Sequence, residues 1–133
     1  MTASETDERE RPSSLLITVE PDEETAAERE RELVRKLERG ERIPRVISFE
    51  TPSQLRRLFT GRNEELIREV KREPPAHIQD LAERVGRTRF EVAGDLDVLA
   101  EYGIVRYRDD EESEMPYVPY DEVRIEYDLL RSI

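Results

Sequence analysis

The stretch from residue 78 to residue 103 constrains the fold most. Ile78, Leu81, Ala82 and Val85 recur at helical spacing and stop at Gly86. Thr88 then opens a longer run to Tyr102, with Val92, Leu96 and Leu99 on one face and Gly103 as its stop. Two helices joined by a turn of two or three residues that contains glycine, the second helix longer, make a helix-turn-helix pattern. Residues 104–108 read as a strand, 109–114 as a polar turn and 115–118 as the returning strand. That hairpin stands where a wing belongs.

The preceding segments are shorter and more polar. Residues 1–13 lack apolar periodicity and read as a disordered acidic tail. Residues 14–20 read as a strand, with Leu15, Ile17 and Val19 alternating. Pro21 and the acidic Asp22, Glu23 and Glu24 open a helix to Arg39, with Ala26, Leu33, Val34 and Leu37 on a narrow stripe and Gly40 as its stop. Residues 43–49 form a second strand, so 14–50 is a β-α-β extension whose thin apolar stripe must dock on something. Thr51-Pro52 starts a helix bearing Leu55, Leu58 and Phe59. Thr60 caps another through Arg72, which buries Leu66, Ile67 and Val70 and ends before Pro74-Pro75. Val123, Ile125 and Tyr127 alternate in a last strand. The expected domains are therefore 14–50 and 51–133, the latter including the C-terminal strand.

Composition decides which chemistry is open to such a chain. Its 133 residues suit one domain, or one domain with a small appendage. Charged residues make up 41% of the chain, yet Leu, Ile, Val and Phe still supply about a quarter, enough for a core. Cysteine is absent and His77 is the single histidine, which excludes disulfides, thiolate metal sites, cysteine nucleophiles and His-rich metal centres. Neither a membrane span nor a signal peptide is legible, so a cytoplasmic protein is expected. The net charge is -11, and 20 of the 22 bases are Arg, only Lys36 and Lys71 being Lys. Acidic excess with scarce lysine suits a halophile, whose salt screens self-repulsion. Acidity then reports the solvent and argues little against a nucleic-acid partner. Residues 51–108 carry 11 bases and 10 acids, a net of +1, against -5 for residues 1–50 and -7 for 109–133.

Several segments together resemble a known family. These are Ser48-Phe49-Glu50, Leu55-Arg56-Arg57-Leu58-Phe59-Thr60, Ile78-Gln79-Asp80-Leu81-Ala82 and Val85-Gly86-Arg87. Glu101-Tyr102-Gly103-Ile104-Val105 and Val118-Pro119-Tyr120-Asp121-Glu122-Val123-Arg124-Ile125-Glu126 complete the set. Over about residues 45–127 the chain resembles the small winged-helix DNA-binding transcriptional regulators of halophilic archaea, related in shape to MarR- and ArsR-like repressors. The resemblance implies an α+β fold, a winged helix-turn-helix with an N-terminal strand-helix-strand extension. It departs from that pattern on the second helix, whose outer face holds Phe90, Gly94, Asp97 and Glu101 where such proteins carry bases. The acidic turn at 109–114 also opposes phosphate contact.

Arg84, Arg87 and Arg89 cluster at the turn and at the N-terminus of the second helix, where backbone amides also favour phosphate. With Thr88 they are the candidate DNA contacts, and Arg56, Arg57 and Arg62 extend the footprint as outer clamps. Pairing of these arginines with neighbouring acids is the plainer alternative. Phe90 has two readings: an exposed aromatic that touches thymine methyls or a protein partner, or a side chain packed on the preceding helix. His77 reads as a turn or N-cap residue, the five tyrosines as packing groups, and no carboxylate pair or glycine-rich loop stands out. Hence no enzyme, no cofactor and no metal are expected. The expected function is a sequence-specific DNA-binding regulator that contacts double-stranded DNA as a homodimer, because one winged helix buries too little surface alone. The alternative is a protein-interaction winged helix whose partner is a toxin or the transcription machinery. The helix around Leu33, Val34 and Leu37, with 123–130, is the expected dimer surface.

Overall fold

A computed structural model describes residues 13–109 and 114–130. The expected tail (all but Ser13) and the wing tip at 110–113 lie outside the described residues. The chain is α+β and divides into two units, Met1–Pro52 with Tyr120–Ile133, and Ser53–Pro119. None of the described helices is long and apolar enough to cross a membrane.

The first unit is built on β1, Ser14–Val19, which sits centrally in a three-stranded sheet and is buried along nearly its whole length, Thr18 included. A parallel neighbour needs a long crossover, and helix α1, Glu23–Glu38, supplies it before β2, Arg45–Phe49. Asp22 is the N-cap of α1, its Oδ1 accepting the Thr25 N–H at 2.7 Å, so the helix starts two residues after Pro21. Arg29 ties α1 to the sheet: its guanidinium donates to Glu20 at 3.3 Å and to the last strand's Glu126 at 2.9 Å. Glu20 also accepts from the Ser48 hydroxyl at 2.7 Å, so this buried carboxylate is fully engaged.

The last strand departs from expectation. Residues Glu122–Glu126 pair in parallel with β1, Ile17 opposite Ile125, giving the order β2, β1, last strand. The C-terminal strand therefore belongs with the N-terminal extension and not with residues 51–119, which are inserted between the second and last strands of one sheet.

The second unit comprises α2 (Pro52–Leu58), α3 (Gly61–Arg72), α4 (Ile78–Val85) and α5 (Arg89–Glu101), then the hairpin β3 (Arg106–Asp109) and β4 (Glu114–Tyr117). The strand Glu122–Glu126 is β5. Helices α3, α4 and α5 pack on one another and β4 packs on α3 and α4. Leu66, Val70, Leu81, Val92, Leu96, Leu99 and Ile104 are wholly buried. Thr60 and Thr88 cap α3 and α5, each hydroxyl oxygen accepting a backbone N–H at 3.2 Å. His77 occupies the N-cap of α4 without a side-chain cap bond.

The turn between α4 and α5 depends on Gly86, at φ 68° and ψ 34°. In that left-handed conformation the Arg87 N–H reaches back to the Ala82 carbonyl at 3.0 Å, closing α4. A Cβ on Gly86 would meet no neighbour within 4 Å, so substitution is opposed only by the backbone conformation. Gly86→Ala is expected to lower stability by about 1–2 kcal/mol in chemical denaturation. A variant as stable as the parent would show that the turn tolerates another conformation.

Candidate functional site

The start of α5 and the turn before it hold half of the eight candidate residues, and the fold treats them differently. Phe90 is 90% exposed. Its position follows from the helical repeat: Val92, Leu96 and Leu99 take the inner face, leaving residue 90 on the opposite side with Gly94, Asp97 and Glu101. The packed reading of Phe90 therefore does not describe this structure. Val98, 42% exposed, adds a second apolar side chain to the solvent side that the sequence reading did not single out. Because both faces of α5 are partly apolar, amphipathicity alone orients this helix weakly.

The arginines separate into partnered and unpartnered groups. Arg87, one of the expected DNA contacts, points into the unit with its side chain only 11% exposed. Its guanidinium donates to Asp95 Oδ2 and to the Arg62 carbonyl oxygen, both at 3.2 Å, and lies 3.9 Å from Glu65. Arg62 meets the same Asp95 oxygen, also at 3.2 Å. Asp95 thus joins α3, the turn and α5 through two arginines, a role its place in the sequence gives no sign of. Arg84 donates to the Glu73 carbonyl at 2.7 Å, bracing the chain before α4. Arg56 is exposed and also partnered within the chain.

Arg57 and Arg89 are exposed and, of the six arginines expected at the site, are the two without a partner among the described residues. Arg89 lies in the first turn of α5, beside Phe90 and next to the Thr88 cap, where unpaired backbone N–H groups and the helix dipole also favour an anion. The outer face changes character along its length, since Glu91, Asp97 and Glu101 are exposed. The hairpin adds one cation that the sequence reading passed over. Arg108 is exposed and stacks 4.7 Å above the Tyr117 ring centroid, across the β3–β4 pair. Tyr107, next to it, donates its hydroxyl to Asp97 at 3.1 Å and so links the hairpin to α5.

Gly94 is informative because the fold does not require it. It has ordinary helical geometry, and a Cβ there would meet nothing within 4 Å. A mid-helix glycine lowers helix stability by about 0.5–1 kcal/mol relative to alanine. No internal packing offsets that. On α3, by contrast, Glu69 and Arg72 pair within the helix, and the Arg72 hydrogen bond holds the Glu69 carboxyl below its usual range. Among the described residues no three acidic or histidine side chains gather as a metal site.

Comparison with curated proteins and with solved structures finds no match to the chain. Among family descriptions, the haloarchaeal HVO_A0114 matches residues 58–125. That span runs from the end of α2 through all the later helices and the hairpin into β5, and covers just over half of the 133 residues. The chain belongs to the HVO_A0114 family.

Proposed function

We propose that Ser53–Pro119 is a winged helix that binds duplex DNA through the N-terminal turn of α5, and that the chain is a transcriptional regulator. The observation that carries this reading is the pairing of exposed Phe90 with Arg89, unpartnered among the described residues, at the start of the second helix of a helix-turn-helix. In such units that end of the helix enters the major groove, while flanking bases contact phosphates. Arg89 is the base-reading or phosphate-clamping cation, Phe90 the apolar contact to thymine methyls, and Arg57 and Arg108 the outer clamps. Arg87, Arg62 and Arg84 support the site by fixing α3, the turn and α4.

Gly94 fits the same reading, because a helix face without a Cβ lets another surface approach closely. Gly94→Ala is expected to raise stability by about 0.5–1 kcal/mol while weakening DNA binding. Thermal unfolding and a binding titration of one preparation check both signs. A gain in stability with unchanged affinity would remove Gly94 from the contact surface.

Exposed Val98, Asp97 and Glu101 favour a second reading, in which the same face of α5 docks a basic protein surface. A titration against the chain's own promoter fragment and random DNA, in molar potassium chloride, separates the two. Counterion release contributes little there, so preference must come from close contacts. The DNA reading requires tighter binding to the promoter fragment. Equal or absent binding to both DNAs would leave the protein-docking reading.

A further inference from the structure

The β3–β4 hairpin packs on α3 and α4 and reaches α5 through the side chain of Tyr107. The Tyr107 hydroxyl donates to Asp97 Oδ1 at 3.1 Å, at a point about 12 Å along the helix from Arg89. Consecutive strand residues point to opposite faces, so with Tyr107 turned to α5, Arg108 lies on the other face of the hairpin. There it stands over the Tyr117 ring, opposite Met115 in the β3–β4 register. A carboxylate on the outer face of α5 opposes an anionic duplex, yet Asp97 is drawn into the fold by this bond. An O–H donated to a carboxylate is stronger than one donated to a neutral group. Glu91 and Glu101 are exposed on the same helix and their side chains have no partner among the described residues.

We infer that Tyr107 is a positioning residue for the duplex: its bond to Asp97 fixes the hairpin against α5, so that Arg108 meets a phosphate while Arg89 and Phe90 occupy the major groove. The inference rests on the DNA reading above, and Tyr107 itself touches no DNA. The packing of β4 on α3 and α4 gives the hairpin its place, but burial has no direction of its own. A hydrogen bond does, because it holds donor and acceptor within a narrow range of distance and angle. Direction matters more in concentrated salt. Screening there cuts the reach of an exposed charge to about 3 Å, so a guanidinium set away from its phosphate gains nothing from long-range attraction. Placement therefore decides whether Arg108 contributes at all, and Tyr107, the residue before it on the same strand, supplies the placement.

The test reads the effect of Arg108→Ala on promoter-duplex affinity in four backgrounds, in molar potassium chloride, with every variant first shown folded by circular dichroism. In the parent, Arg108→Ala is expected to weaken binding about threefold, the order for one exposed ionic contact. In Tyr107→Phe, which removes only the hydroxyl, and in Asp97→Ala, which removes the acceptor, that effect is expected to vanish. Asp97→Asn keeps an oxygen that accepts the bond, and there the effect is expected to remain. A merely structural Tyr107 would change stability or overall affinity and leave the Arg108 effect the same in every background, which overturns the inference. So does an Arg108→Ala without effect in the parent, or loss of the effect in Asp97→Asn, which would assign it to the carboxylate charge and not to the bond. A parent chain with no preference for the promoter fragment over random DNA fails the DNA reading itself. A parent that keeps the preference confines any failure to Tyr107.

Discussion

Leu96→Ala will lower the stability of the chain by about 2–5 kcal/mol, the range for deleting a buried leucine side chain into a core that relaxes only in part. Leu96 is wholly buried on the inner face of α5, with Val92 and Leu99 on the same face and Leu66, Val70 and Leu81 on the helices packed against it. Denaturant unfolding followed by circular dichroism gives the change directly. Phe90→Ala, six residues earlier and on the opposite face, will change stability by less than about 0.5 kcal/mol, because an exposed side chain has little packing to lose. The pair separates the two faces of one helix. A large loss of stability from Phe90→Ala would place that side chain in the packing of the unit.

Arg87→Ala will also act on the fold, lowering stability by about 1–3 kcal/mol. Removing the guanidinium leaves the Arg62 carbonyl oxygen without that donor and takes one of two cations from Asp95. The loss stays below the range for a fully buried pair because Asp95 retains Arg62 and keeps about a fifth of its side-chain surface in solvent. Arg89→Ala, two residues on, will leave unfolding unchanged and instead weaken DNA binding by about 1–3 kcal/mol if the side chain reads a guanine. Unfolding curves for both variants, with titrations run where each is fully folded, separate the two roles. A stable Arg87→Ala would show that the Asp95 bridge contributes nothing net.

The contrast between Arg87 and Arg89 marks where the sequence stops being readable. The ends of the helices are local and legible: Asp22, Thr60 and Thr88 cap them, and Gly40, Gly86 and Gly103 stop their chains at positive φ. The inner face of α5 is equally legible, since Val92, Leu96 and Leu99 obey one period. Two arginines flanking Thr88 look alike in sequence, but residues two apart near a helix start point to different sides. Only the placement of Asp95 and Arg62 turns Arg87 inward. The partner of β5 is hidden for a related reason. Alternating Val123 and Ile125 suit an edge strand in either sheet, and the choice is made by β1, more than a hundred residues away. On α1, Leu33 and Val34 are adjacent in one apolar stripe, yet the helix rests with Leu33 half-buried and Val34 exposed.

Amide chemical-shift mapping during titration with the promoter duplex locates the contact surface residue by residue. Binding through the N-terminal turn of α5 is expected to shift Arg89, Phe90 and Gly94 most, Arg57 and Arg108 less, and α1 not at all. Shifts confined to α1 and the β2–β1–β5 sheet, with α5 silent while the duplex is bound, would contradict it.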